Sequence, residues 1–255
     1  MAVPKLKRKT NYSLIVILVV IGFVGWLLYF KETRIAALVE HFTAGADLEE
    51  TFGAKITLPV ARSSGGSGLY SAIQSRRSVR DYADKPLNLN QISQLMWSAQ
   101  GITDKETGYR SAPSAFSAYP LELYLVAIRV TGLTPGIYHY LPGENALQTL
   151  KEVPDLSDFY TAGRQDQVKK APAVMVLSVV MSRSQAKRPE SAASDIARSV
   201  YQESGHVGQN LYLTAEDLGL GMVVMGGFDS VKMHQVLGLG SNEEIVYIMP
   251  VGIKP

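Results

Sequence analysis

The stretch Ala171–Val180, APAVMVLSVV, is apolar without alternation. A short run of that kind reads as a strand buried on both faces, because an exposed face would show a polar residue at every second position. The chain must therefore build a sheet that is covered above and below. From about Ala193 to Leu218, Ile196, Val200, Val207, Leu211 and Ala215 recur at helical spacing, which predicts a long, central helix. A second amphipathic helix is predicted in NLNQISQLMWSAQG, where Ile92, Leu95, Met96 and Ala99 share a face, Asn88 with Gln91 forms a capping box and Gly101 stops the run.

Further strands are expected in LELYLVAIRV (Leu121–Val130), GIYHY, LQTL, GMVVMGGF and EEIVYIMPVGI. A hairpin turn falls at Pro142 and Gly143, and a short helix is expected over Val231–Leu237. Helices mixed with locally paired strands make an α+β domain, with a mostly antiparallel sheet flanked by helices, rather than a doubly wound sheet. At 255 residues and 46% hydrophobic content the chain can bury a full core.

The amino terminus carries a different signal. KLKRK (Lys5–Lys9) precedes Ser13–Phe30, eighteen residues without a charge. As a helix this run would extend about 27 Å, close to the roughly 30 Å hydrocarbon thickness of a bilayer. No small-x-small cleavage pattern follows it, so the expectation is an uncleaved transmembrane helix over residues 1–30 with its basic tip. The excess of Lys and Arg before the helix places the amino terminus in the cytoplasm and the bulk of the protein outside it. Residues 31–68 read as stalk and linker, ending in the Ser/Gly-rich ARSSGGSG (Ala61–Gly68), and residues 69–255 as the folded domain.

Several chemistries are excluded by what the sequence lacks. With no cysteine there is no thiol nucleophile, disulfide or cysteine-held metal, and the four histidines are scattered without ligand spacing, so no metal site is expected. A net charge of +2 gives no global field for nucleic acid. No GxSxG or phosphate-loop motif occurs, and GLGMVVMGG (Gly219–Gly227) has Val224 where a dinucleotide fingerprint needs its third glycine. Adjacent carboxylates such as Glu243 and Glu244 point in different directions and read as solvated residues.

What remains is RRSVRDY, residues 76–82. In an extended segment the side chains of Arg76, Ser78 and Arg80 share one face, and two guanidinium groups with a hydroxyl can cup a phosphate or the edge of a polar heterocycle. Arg77 faces away.

Taken with PSAFSAYPLELY (Pro113–Tyr124), GIYHY, APAVMVL, ESGHVGQNLYLTAEDLGLG (Glu203–Gly221) and GGFDS, in that order, RRSVRDY makes the chain resemble the nitroreductase-like flavoproteins, and within them the SagB-type dehydrogenase branch that includes azoline oxidases. The resemblance spans roughly Leu58 to the end. It implies an FMN-binding homodimer with two equivalent flavins at the subunit interface, acting as an oxidoreductase on a small molecule. Arg76, Ser78 and Arg80 match contacts to the FMN phosphate, ribityl chain and pyrimidine edge. Pro113, Ser114, Ala115 and Ser117 match the loop that reaches the flavin of the other subunit. Gly226 and Gly227 match the backbone that lies against the isoalloxazine, and Gln165 sits where a glutamine or asparagine approaches the ring. On this resemblance NAD(P)H is a candidate electron donor, and no acid-base residue is assigned. His206 and Asn210 read as structural parts of a dimer-forming helix.

One departure matters. The segment SRSQAKRPESAASD holds Lys187 but lacks the tyrosine of the Lys-Tyr pair found in azoline-oxidising members, which argues against that reaction. A domain outside the cytoplasm would also exchange electrons with something other than NAD(P)H, such as a membrane quinone. The rival readings are a non-catalytic flavin- or ligand-binding module tethered to a membrane, and an enzyme that fragments its own reduced flavin.

Overall fold

A computed structural model describes Gly53–Val153 and Asp155–Pro255. In chain order the strands are β1 (Lys55–Thr57), β2 (Leu87–Asn88), β3 (Ile102–Asp104), β4 (Tyr109–Arg110), β5 (Leu121–Ala127), β6 (Val130–Thr131), β7 (Gly136–Leu141), β8 (Ala146–Glu152), β9 (Ala173–Val179), β10 (Leu220–Met222) and β11 (Glu244–Ile253). The helices are α1 (Leu69–Ser75), α2 (Leu89–Gln100), α3 (Ser157–Gly163), α4 (Asp166–Lys170), α5 (Met181–Lys187), α6 (Ala193–Asp217) and α7 (Ser230–Leu237).

Seven strands form one sheet in the order β1-β8-β7-β5-β9-β11-β10, and every neighbouring pair runs antiparallel. The apolar run becomes β9, between β5 and β11, with every residue buried. On one face Leu121, Leu123 and Leu125 of β5 join Met175 and Leu177 of β9 in a core closed by α2 and α6, through Ile92, Leu95, Val207 and Leu211. On the other, Tyr124, Val126, Val174 and Val176 pack against Phe159, Val168, Met233 and Leu237 of α3, α4 and α7. The fold is therefore an α+β arrangement of a mostly antiparallel sheet between helical layers, as expected.

Local chemistry explains the main elements. Asn88 Oδ1 accepts from Gln91 N at 3.0 Å while the Gln91 side chain accepts from Asn88 N at 3.0 Å, so both members of the expected capping box are in place at the start of α2. The β7–β8 hairpin turns at Pro142 and Gly143 as expected. The strand expected over Leu121–Val130 is shorter, because the N–H groups of Ile128 and Arg129 both turn to the carbonyl of Pro172 and release Val130 to pair with Leu87. Likewise GMVVMGGF is not one continuous strand. β10 ends at Met222, Val223 N still donates to Pro250 O at 3.3 Å, and Met225 bridges back to Ile248. Between them the Val224 N–H leaves the sheet for the Tyr212 hydroxyl, at 3.0 Å.

The chain enters the sheet through β1, upstream of the Ser/Gly-rich stretch, and that stretch is itself tied down. Ser67 Oγ and Arg62 Nη2 donate to the two carboxylate oxygens of Asp217 at 2.8 and 3.0 Å, at the end of α6.

The expectation of a single-pass membrane protein with an extracytoplasmic domain is corrected here. No helix among the described residues is long and apolar enough to cross a membrane. The longest, α6, is amphipathic and carries Asp195, Arg198, Glu203, Glu216 and Asp217 along its length. Residues 1–52, which include the apolar run Ser13–Phe30 and most of the expected stalk, lie outside the described residues.

Candidate functional site

The residues after α1 leave the helix at Arg76, whose backbone turns extended, and run beside the free edge of β10. Ser78 forms a parallel bridge with Met222, and Val79 N donates to Met222 O at 2.9 Å. This approach depends on Gly221: a Cβ there would stand 2.5 Å from Val79 Cγ1, inside any tolerable contact. With Val79 turned inward onto Gly221, Ser78 faces the opposite way.

On that face Tyr212, from the last part of α6, joins two segments. Its hydroxyl lies 2.9 Å from Ser78 Oγ and accepts from Val224 N at 3.0 Å. The Arg76 guanidinium sits over the same ring, 4.9 Å from its centroid. Among the described residues neither Arg76 nor Arg80 enters an ion pair, so their charges remain available to an anion. Arg77 instead folds back onto the carbonyls of Gln74 and Arg76 at 3.0 and 2.8 Å.

Two residues beyond Val224 the chain reaches Gly226 and Gly227, both exposed. A Cβ built on Gly226 would meet nothing within 4 Å, and one on Gly227 would meet only Gln165 Nε2, at 3.3 Å. Gln165 Nε2 donates to Gly227 O at 2.8 Å and its Oε1 accepts from Gln167 at 2.7 Å, which fixes the amide plane beside the open glycine face. The fold thus brings Arg76, Ser78, Gly226, Gly227 and Gln165 to one region. An uncommitted guanidinium group, a hydroxyl and a bare backbone face beside a fixed amide suit a phosphate-bearing planar heterocycle, so the residues present fit FMN.

The loop of Pro113, Ser114, Ala115 and Ser117 is not brought there within one chain. Ser114 Oγ donates to Glu203 Oε2 at 2.7 Å, and Glu203 lies nine residues before Tyr212 on α6, which is about 14 Å along a helix. The loop is strained: Phe116, Ser117 and Tyr119 all have φ near +50°, at 57°, 51° and 45°, and such residues persist only where their surroundings hold them. Here Ser114 Oγ accepts from Tyr119 N at 2.9 Å, Arg183 donates to Tyr119 O at 3.3 Å while pairing with Glu122, and Arg110 stacks on the Tyr119 ring at 4.7 Å. Phe116 is 69% exposed and is backed by Arg188 at 5.2 Å.

Glu203 is the residue here that sequence reasoning missed. It is 3% exposed, its Oε1 is buried without a hydrogen-bond partner, and burial pushes its carboxyl up to about 7 against the opposing effects of Ser114 and Arg110. Tyr212 was missed too, since a tyrosine beside Leu211 reads as helix packing. His206 is exposed, and Asn210 Nδ2 donates to the carbonyls of Ser98 and Ser111 at 3.1 and 3.3 Å, a structural role. Lys187 is exposed in the last turn of α5. Cavities of about 440 and 470 Å³ lie elsewhere, beside Phe159 and Lys232 and beside Trp97 and Ile102, and neither is lined by the arginines or the glycines.

Comparison with known proteins shows the family. The family model of the nitroreductases matches residues 73–253. A Methanocaldococcus jannaschii protein that carries the nitroreductase name is 34% identical over 187 residues, covering 73% of this chain and 91% of that protein. Among solved structures, a protein of Ralstonia eutropha, also named as a nitroreductase, superposes with a TM-score of 0.69 at 27% identity, over 80% of this chain and 90% of that one. The NADPH:FMN oxidoreductase of Vibrio harveyi shares the fold at a TM-score of 0.50 and 21% identity, over 73% and 68% of the two chains. With the family model covering most of the chain and a relative matched over nearly its whole length, this chain belongs to the nitroreductase family.

Proposed function

We propose that this chain works as a homodimer of the SagB-type branch, binding FMN between subunits and passing hydride from a donor such as NAD(P)H to a small-molecule acceptor in alternating, ping-pong half-reactions. By its family it is an FMN-dependent oxidoreductase. The observation that supports this reading is that the Tyr212 hydroxyl ties Ser78 to Val224, two residues before the open Gly226 and Gly227, while its ring carries the Arg76 guanidinium.

Bound FMN supplies the hydride-accepting and hydride-returning chemistry. The chain's own residues hold and orient it. In this reading Arg76 and Arg80 neutralise the phosphate, Ser78 donates a hydroxyl, and the backbone of Gly226 and Gly227 lies flat against the ring with Gln165 at its edge. The separation of Ser114 from Ser78 along α6 supports a site completed by Pro113, Ser114, Ala115 and Ser117 of a second copy. The missing tyrosine beside Lys187 supports an acceptor other than an azoline.

The experiment is complementation between subunits. Arg76→Ala and Ala115→Trp chains, each impaired in FMN binding alone, are mixed, dissociated and reassociated. Shared sites predict that the mixture recovers FMN binding, because hybrid dimers contain one intact site. A mixture no better than its components contradicts a site built from two chains.

A further inference from the structure

The buried carboxyl of Glu203 faces a single hydroxyl whose other bonds are accounted for. Ser114 Oγ gives its one proton to Glu203 Oε2 and takes one from Tyr119 N. A hydroxyl has two lone pairs, so Ser114 keeps one acceptor position free and has no proton left to offer a ligand. Glu203 Oε1, meanwhile, is buried with no donor facing it.

We propose that Glu203 is a positioning residue that sets the direction of the Ser114 hydroxyl, so that a ligand accepting a hydrogen bond from Ser114 is taken up together with a proton on Glu203. The balance is simple. A solvent proton converts the carboxylate to the acid, the acid O–H donates to the free lone pair of Ser114 Oγ, and the bond from Ser114 to Oε2 is given up. The Ser114 proton then turns outward while the bond from Tyr119 N is kept. The inference rests on the reading of Pro113–Ser117 as the loop that meets FMN.

Burial favours a carboxyl that holds a proton, against the Ser114 hydrogen bond and the Arg110 charge. The desolvation that raises Glu203 to about 7 is opposed by Arg110, which is also bonded to Gln100 Oε1 at 2.8 Å. The other ionisable groups on the elements packed against α6 are bonded elsewhere or exposed, Lys187 of α5 among the exposed ones. Tyr119 accepts from Arg110 N at 3.3 Å, Arg183 pairs with Glu122, Arg188 donates to Ser199 Oγ at 2.5 Å, Glu244 accepts from Tyr201 at 3.1 Å, and His206 is exposed on α6. α2 and β10 present no charged side chain, and α1 carries only Tyr70, which is exposed.

The test measures FMN affinity from pH 6 to pH 9 for the whole chain and for Glu203→Gln, whose amide can donate permanently to Ser114 as the acid does. The phosphate of FMN, which itself ionises near pH 6 by analogy with phosphorylated side chains, is common to both and cancels in the ratio. The wild-type Kd divided by that of Glu203→Gln is expected to stay near unity at pH 6 and to rise at least tenfold by pH 9. A ratio that does not change with pH overturns the proposal. Ser114→Ala is the second variant: relative to Glu203→Gln, its Kd should also be independent of pH, at the weaker wild-type level of pH 9.

A readout without FMN separates this inference from the reading beneath it. In the flavin-free protein the Tyr119 amide resonance should titrate near pH 7 and should stand still in Glu203→Gln; an amide that titrates alike in both overturns the coupling. Wild-type protein that binds no FMN at any pH would overturn the FMN reading instead, and the Tyr119 titration would still decide the Glu203–Ser114 coupling.

Discussion

The hydroxyls of Ser78 and Tyr212 lie 2.9 Å apart, and the same Tyr212 oxygen accepts the Val224 N–H at 3.0 Å. A single side chain of α6 thereby links the segment after α1 to the irregular segment after β10. It takes a backbone donor out of the sheet to do so, which interrupts the pairing with β11 at Val224, between Val223 and Met225.

Tyr212→Phe removes that link while keeping the ring under Arg76. The Val224 N–H loses its partner, so the variant should lose about 1 to 3 kcal/mol of stability, the cost of an unsatisfied donor. Its FMN affinity should fall as well. Denaturant midpoints at constant m-value check the first expectation, and flavin titration the second.

Arg76→Ala should weaken FMN binding by about 1.5 to 3 kcal/mol if its charge-assisted bond is lost, roughly ten- to hundredfold in Kd. Fold stability should fall by no more than about 0.5 to 1 kcal/mol, the worth of the exposed cation–π contact with Tyr212, because Arg76 enters no ion pair among the described residues. Unaltered FMN affinity would remove the role assigned to this arginine.

Gly226→Leu separates the ligand from the fold. A side chain there meets open space, and φ lies outside the left-handed region, so stability should stay within about 0.5 kcal/mol of wild type. The added carbons would occupy the face assigned to the ring, and FMN affinity should drop more than tenfold. Gly221→Ala should do the reverse, destabilising the protein by about 1 to 3 kcal/mol through the clash with Val79.

Stability should also depend on pH through Glu203. Its ordinary value is 4.5 and its folded value is about 7. Between those values the folded state keeps a proton that the unfolded state has lost, so stability falls as pH rises from about 4.5 to about 7 and then levels. Asp104, Glu122, Glu216, Asp217 and Asp229 are shifted down instead, and their contribution is lost only at more acidic pH. The difference between wild type and Glu203→Gln isolates the effect, and a difference that does not vary with pH would count against it.

Much of this architecture is legible in the sequence because it is periodic or local. APAVMVLSVV reads as an inner strand, the spacing from Ile196 to Ala215 as a helix, and Asn88 with Gln91 as a helix start. Arg76 and Ser78 could be placed on a common face from alternation alone. What the sequence does not reveal depends on partners far along the chain. Tyr212 matters because of Ser78 and Val224, and Glu203 because of Ser114. The strain at Phe116, Ser117 and Tyr119 has no glycine or asparagine to announce it, and it is held by arginines from other elements. The long apolar run near the amino terminus read as a membrane signal, yet the described helices that cover the sheet are amphipathic and are directed inward to the core.

The most direct test of the central claim is the visible absorbance of the purified chain after reconstitution with FMN and removal of free flavin, followed by anaerobic addition of NADH or NADPH. The account predicts a retained flavin band that bleaches on addition of a nicotinamide donor and returns with an electron acceptor. A protein that retains no FMN, or whose bound flavin cannot be reduced by any donor and reoxidised, would contradict it.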